Sequence, residues 1–307
     1  MIQITSKDLN QVPEALSSQG AFRKILKAIT QITGQVYNGH HYRHNDVLQR
    51  LKAFSVHKQH LEKGDKPKCY YCESAVEHVA KLQVEHYRPK AKVDDIDNNN
   101  TPHHGYYWLG LEWSNLLLAC PNCNGKDAKG NRFPLRDFNN RATVINPIGG
   151  VQPNLTIDRT HCLSTCENLN SEEPLLINPE NTDPSIHLSF NNQGQIMGIT
   201  DEGRTSVVIF KLDRDPLFAA RQGKINDIID DINLAIAANK KGRVMGDSLI
   251  VWLESSCQRL LDRNDVSKEY TLWIRYVIDH FENCIVNKID PSYRDSVRTA
   301  FNNVNNP

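Results

Sequence analysis

Two Cys-x-x-Cys pairs constrain this chain more than any other feature: Cys69-Tyr70-Tyr71-Cys72 and Cys120-Pro121-Asn122-Cys123. In each pair a tight turn aims two thiols at one point, and two such turns supply the four ligands of a tetrahedral structural zinc site. One pair alone would read equally well as a redox dithiol. Two pairs in a stretch otherwise poor in cysteine fit metal binding better, with disulfides or unrelated thiols as the alternative. Such a zinc would tie two distant segments together and contribute folding energy. With all four positions filled by sulfur it would have no open position for chemistry.

The rest of the composition narrows the class. A chain of 307 residues can build one large or two ordinary domains with a real core. At 39% hydrophobic and 23% charged it reads as globular rather than disordered. Lys plus Arg and Asp plus Glu each number 36, which excludes a bulk-basic nucleic-acid coat but leaves a local basic groove open. No apolar run reaches the roughly 18 residues of a membrane span, and residues 1–20 lack a signal pattern, so the expected location is the cytoplasm, with no membrane partner. In that reducing compartment the eight cysteines read as thiols or metal ligands.

Periodicity divides the chain into three regions. Residues 1–66 are expected to be helical: Phe22, Ile25, Leu26 and Ile29 share one face, and Leu48, Leu51, Phe54 and Leu61 suggest a second helix from near Asp46. Gly64-Asp65-Lys66-Pro67 breaks the pattern. Residues 67–138 concentrate cysteine, histidine and aromatics, and their polar run Asp94 to Asn100 resembles an inserted surface loop. Residues 139–307 begin with loops and a hairpin, Ile186 to Phe190 and Gln195 to Thr200 around a turn at Asn191 to Gly194. Helices follow, with Ile225, Ile228, Ile229, Ile232 and Ile236 on one face and two more near 247–261 and 269–286. The expected class is α+β, with both helical ends read as packing scaffold.

Between the cysteine pairs lies Glu85-His86-Tyr87-Arg88-Pro89-Lys90, and after the second pair Asn124-Gly125-Lys126. A lone Glu-His dipeptide would signify little. Framed by metal ligands and followed by cations, it carries what phosphodiester hydrolysis needs. A neutral imidazole can take a proton from water. A carboxylate and a carboxamide oxygen can hold a hard divalent ion. Arg88, Lys90 and Lys126 can neutralise phosphates. Other residues read as structural: His161, Cys162 and Cys166 as a loop with incidental thiols, Cys257 and Cys284 as core, His103 and His104 as solvated loop. Tyr106, Tyr107, Trp108 and Trp113 read as core packing, with base stacking as the alternative.

In order, the strings CYYCE, VEHYRPK, YYWLGLEWSNLLLACPNCN, NRFPL and EEPLLINPENTDPSIHLSF resemble the retron-associated and Septu-type (PtuB-like) HNH endonucleases over roughly residues 66–215. The resemblance implies a zinc-stabilised ββα-metal (HNH) finger embedded in a mostly helical protein. It implies His86 as general base, and Glu85 and Asn124 as ligands of a catalytic Mg²⁺ or Mn²⁺. Asn115 would orient the histidine or hold the turn, and Cys69, Cys72, Cys120 and Cys123 would bind structural zinc. It further implies an anti-phage effector that cuts DNA, or alternatively RNA. Its implied partners are a Septu-type ABC-like ATPase and, in retron systems, a reverse transcriptase with its RNA–DNA hybrid. A non-catalytic zinc module is the competing reading. Two positions depart from the broad pattern: Glu85 stands where Asp is commoner, and Asn124 stands where His is usual. Residues 66–141 hold 11 Lys/Arg against 9 Asp/Glu, too small an excess to say which groove is read.

Overall fold

Ser18 opens the first long helix, α1 (Gln19–Gln31), its hydroxyl accepting from the Ala21 amide at 3.2 Å. The helix buries Ala21, Phe22, Ile25 and Ala28 and stops where Ile32 turns left-handed. A second helix, α2 (Asn45–Val56), buries Val47, Leu51 and Val56 and packs on a short strand farther along the chain. The computed structural model describes residues 1–4, 7–56, 64–95 and 103–305. Leu61 and positions 96–100 of the polar run lie outside the described residues.

The packing target of α2 is β2 (Leu116–Ala119), paired antiparallel with β1 (Gln83–His86) so that His86 faces Leu116 and Gln83 faces Ala119. All four residues of β2 are buried, which explains its unbroken apolar run in place of the alternation of a half-exposed strand. Cys120 follows β2 directly, and the single turn α3 (Pro121–Asn124) carries Cys123. A second hairpin, β3 (Ile148–Val151) with β4 (Asn154–Ile157), packs on α1.

The chain forms two compact units, Met1–His187 with Gly198–Leu212, and Leu188–Met197 with Asp213–Pro307. Segments 1–66 and 67–138 both lie in the first unit, which also takes in helix α4 (Asp201–Ile209). Its core holds Tyr70, Tyr71, Tyr106, Trp113 and Phe133, each almost wholly buried. The core reading of Tyr107 and Trp108 agrees with their burial as well.

Two buried cations organise this unit. Lys7 donates to the Trp113 carbonyl at 3.1 Å and to the Leu116 carbonyl, and pairs with Glu180 at 3.0 Å. It thereby satisfies carbonyls at the start of β2, where the strand's own ladder ends. Arg88 pairs through Nε with Glu172 at 2.7 Å and donates from Nη2 to the Leu169 carbonyl. The same carboxylate accepts from the Tyr106 hydroxyl at 2.6 Å and the Ala142 amide at 2.8 Å. Glu172→Ala would leave the Arg88 charge buried without its partner, so a loss of about 3–5 kcal/mol is expected in urea denaturation followed by tryptophan fluorescence. A loss under about 1 kcal/mol would show that Arg88 finds water.

All but Gly198 of the expected hairpin, β5 (Leu188–Phe190) and β6 (Ile196–Gly198), lies in the second unit. Its longer helices are α5 (Asp215–Lys240), α6 (Asp247–Asp262), α7 (Thr271–Asp279) and α8 (Arg294–Asn305). The isoleucine stripe of α5 is buried as its spacing requires, and α6 packs on both α5 and α8. Cys257 and Cys284 are core residues here. Among the described residues, no helix is long and apolar enough to cross a membrane.

Candidate functional site

The four thiols of Cys69, Cys72, Cys120 and Cys123 converge in the first unit, all buried and with their sulfurs within 4.8 Å of one another. Cys72 and Cys120 are 3.8 Å apart, sulfur to sulfur. A disulfide would need about 2.05 Å. Four sulfurs at about 2.3 Å from one tetrahedral ion stand about 3.8 Å from each other, so the spacing suits zinc. Both turns are built by backbone hydrogen bonds: Glu73 donates to the Cys69 carbonyl at 3.0 Å, and Asn124 to the Cys120 carbonyl at 3.0 Å. Tyr70 also donates to the Leu118 carbonyl, which joins the first turn to β2. The cluster therefore fixes one end of the β1–β2 hairpin, and His86 stands at the other end of β1.

His86 is buried, its ring edge-on to Tyr42 at 4.8 Å. Its Nε2 lies 2.9 Å from the Gly110 carbonyl. A carbonyl only accepts, so Nε2 carries the proton and Nδ1 the lone pair. Burial, with the nearby charges of Lys90, Lys129 and Arg43, pushes the imidazole pKa down to about 3, against the opposing Gly110 hydrogen bond. The ring is thus neutral across the ordinary pH range. Gly110 must be glycine because a Cβ there would sit 2.2 Å from the Tyr37 ring, and Tyr37 is anchored by its hydroxyl on the Tyr107 carbonyl.

Strand alternation sends Glu85 to the opposite side of β1 from His86. Its carboxylate is buried, and its Oε1 lies 2.5 Å from Lys129 Nζ, which also donates to the His86 carbonyl at 2.9 Å. Burial raises the Glu85 pKa, and Lys129 and Lys90 oppose that rise. Asn124 is partly exposed and donates from Nδ2 to Gln83, which shares the Glu85 side of β1, while among the described residues no hydrogen bond is made to its Oδ1. Oxygens such as those of Glu85 and Asn124 are of the type that suits a hard ion, and Lys129 now holds the Glu85 carboxylate. Among the described residues, only the four cysteines form a group of three or more His, Cys, Asp or Glu close enough to ligate together.

The remaining expected positions divide sharply. Asn115 holds the turn: its Oδ1 accepts from the Arg88 amide at 2.8 Å, and its Nδ2 donates to the Arg88 and Leu109 carbonyls. Arg88 corrects the expectation of a phosphate contact, because its buried guanidinium is committed to Glu172 and Leu169. Lys90 is partly exposed and Lys126 exposed. His103 is also not a solvated loop residue: it bridges to Val93, its Nδ1 accepts from Gly105, and burial pushes its pKa down to about 4. His104 is exposed, and Cys162 is buried beside a partly exposed Cys166 and an exposed His161. Lys129 went unnoticed in the sequence. Lys126 and Lys129 both follow the second cysteine pair, and no local pattern distinguishes the one that folds inward.

Fold and site together define a protein of mixed helix and small sheets, with a buried four-cysteine cluster able to hold a metal such as zinc. Within that class the chain is similar to a curated bacterial protein. It is 32% identical over 173 residues to Septu protein PtuB of Bacillus mycoides, a stretch that makes up 56% of this chain and 51% of that protein. The chain thus spans about half the length of this curated relative. No family model and no solved structure matches it.

Proposed function

We propose that this chain is the nuclease subunit of a Septu-type anti-phage defence system, an HNH endonuclease that hydrolyses phosphodiester bonds of DNA. The name of its relative supports the system. The observation that carries the chemistry is His86, an imidazole locked in one tautomer whose Nδ1 has no hydrogen-bond partner among the described residues. The order strand, strand, short helix, closed by four thiols, supports a ββα-metal finger.

In this mechanism Nδ1 of His86 takes a proton from water as that water attacks phosphorus in line, and the 3′ oxygen leaves. Burial and then the nearby cations depress the ring's pKa, and a negative phosphate beside it would act in the opposite direction. Glu85 and Asn124 would hold a magnesium or manganese ion, which when bound supplies charge stabilisation at the phosphate. Lys129 keeps Glu85 neutralised until then, and Asn115 maintains the turn that presents His86. Lys90 and Lys126 contact flanking phosphates. The chain would work in the cytoplasm beside an ABC-type ATPase. A retron reverse transcriptase with its RNA–DNA hybrid and an RNA substrate form the variant arrangement.

The Lys129–Glu85 pair favours a second reading, a zinc module that binds without cutting, since Glu85 already has a counter-ion. Plasmid DNA incubated with the chain and its co-expressed ATPase separates the two. Cleavage with Mg²⁺ or Mn²⁺ that stops on EDTA addition is expected. Metal-independent binding without cleavage would support the second reading.

A further inference from the structure

Sequence periodicity assigns residues 1–66 to packing, yet this region forms one wall of the His86 site. At Gly39 the chain turns with φ +89, and the Arg43 amide closes the turn on the Gly39 carbonyl at 2.9 Å. A Cβ at position 39 would sit 3.0 Å from Arg43 Cδ and 3.3 Å from its Nε, so the arginine lies folded back across the glycine. Its guanidinium stands 5.5 Å from the centre of the Tyr42 ring, and Lys90 Nζ stands 5.3 Å from the same ring. Tyr42 is itself buried, with His86 edge-on to it. A cation held on an aromatic face loses less side-chain freedom when it meets an anion, which is pre-organisation.

Arg43, Arg88, Lys90 and Lys129, all close to β1, differ in one respect. Arg88 and Lys129 are neutralised by Glu172 and Glu85. Among the described residues, neither Arg43 nor Lys90 makes an ion pair with a carboxylate. We infer that Arg43 and Lys90, seated together on Tyr42, form a two-cation clamp for the backbone phosphates of a nucleic-acid strand next to the bond that His86 attacks. The inference rests on the nuclease reading and deepens it by adding the phosphate-gripping residue that comes from the N-terminal region. Tyr42 is a positioning residue for both the clamp and the imidazole ring.

The test uses the full chain carrying His86→Gln, expected to cut far more slowly than it binds, and a fluorescein-labelled DNA duplex titrated at several NaCl concentrations. Adding Arg43→Gln is expected to weaken binding about tenfold at low salt. It should also flatten the slope of log affinity against log salt by about 0.9, the signature of one lost phosphate contact. Arg43→Lys should restore the slope. Lys27→Gln, which removes an exposed charge from α1, should change neither quantity. Unchanged affinity and slope with Arg43→Gln would overturn the clamp, as would an equal effect from Lys27→Gln. Failure of the nuclease reading would show separately, as plasmid left intact by the parent chain with its ATPase and Mg²⁺ or Mn²⁺, or as cleavage that does not depend on His86.

Discussion

Cys120→Ser is expected to empty the four-thiol cluster and unfold the hairpin it holds. The apparent binding free energy of a structural zinc is about 10–16 kcal/mol. The whole stability of an ordinary domain is about 5–15 kcal/mol. Loss of the metal therefore exceeds what the remaining contacts can carry. The packing gives the same answer, since Cys120 follows β2 directly and Tyr70 of the first turn bonds the same strand. Metal analysis should find one zinc per chain in the parent and none in the variant, with near-ultraviolet circular dichroism losing the signal of Tyr70, Tyr71 and Trp113. A variant that stays folded and cuts normally would show that the thiols are incidental.

His86→Gln is expected to lower the cleavage rate by about 10²–10⁴, the usual contribution of a positioned general base. Glutamine is chosen because its amide can still donate to the Gly110 carbonyl that His86 now occupies. Zinc content and folding should then remain those of the parent. This separates a chemical role from a packing role, which alanine would confuse by opening a cavity beside Tyr42. Single-turnover rates within about tenfold of the parent would take His86 out of the mechanism.

What sequence could show follows from how local each feature is. The thiol convergence was legible because each turn needs only four residues, and the isoleucine stripe of α5 because a helix repeats its face. The β5–β6 hairpin was equally local. The fates of the cations were not. Arg88 and Lys90 are two residues apart in one motif, yet one is buried on Glu172, far along the chain, and the other stands beside Tyr42. Lys7 caps carbonyls more than a hundred positions away. Such pairings depend on tertiary neighbours that no periodicity encodes. The opposite facing of Glu85 and His86, by contrast, follows from the two-residue repeat of a strand once β1 is known.

The measurement closest to the centre of this account is zinc K-edge X-ray absorption on the purified full chain. The expected result is one zinc per chain, with a first shell of four sulfurs at about 2.3 Å. A shell containing nitrogen or oxygen, or a folded chain that holds no zinc, would contradict a hairpin clamped by four thiolates and, with it, the placement of His86 that the proposed chemistry requires.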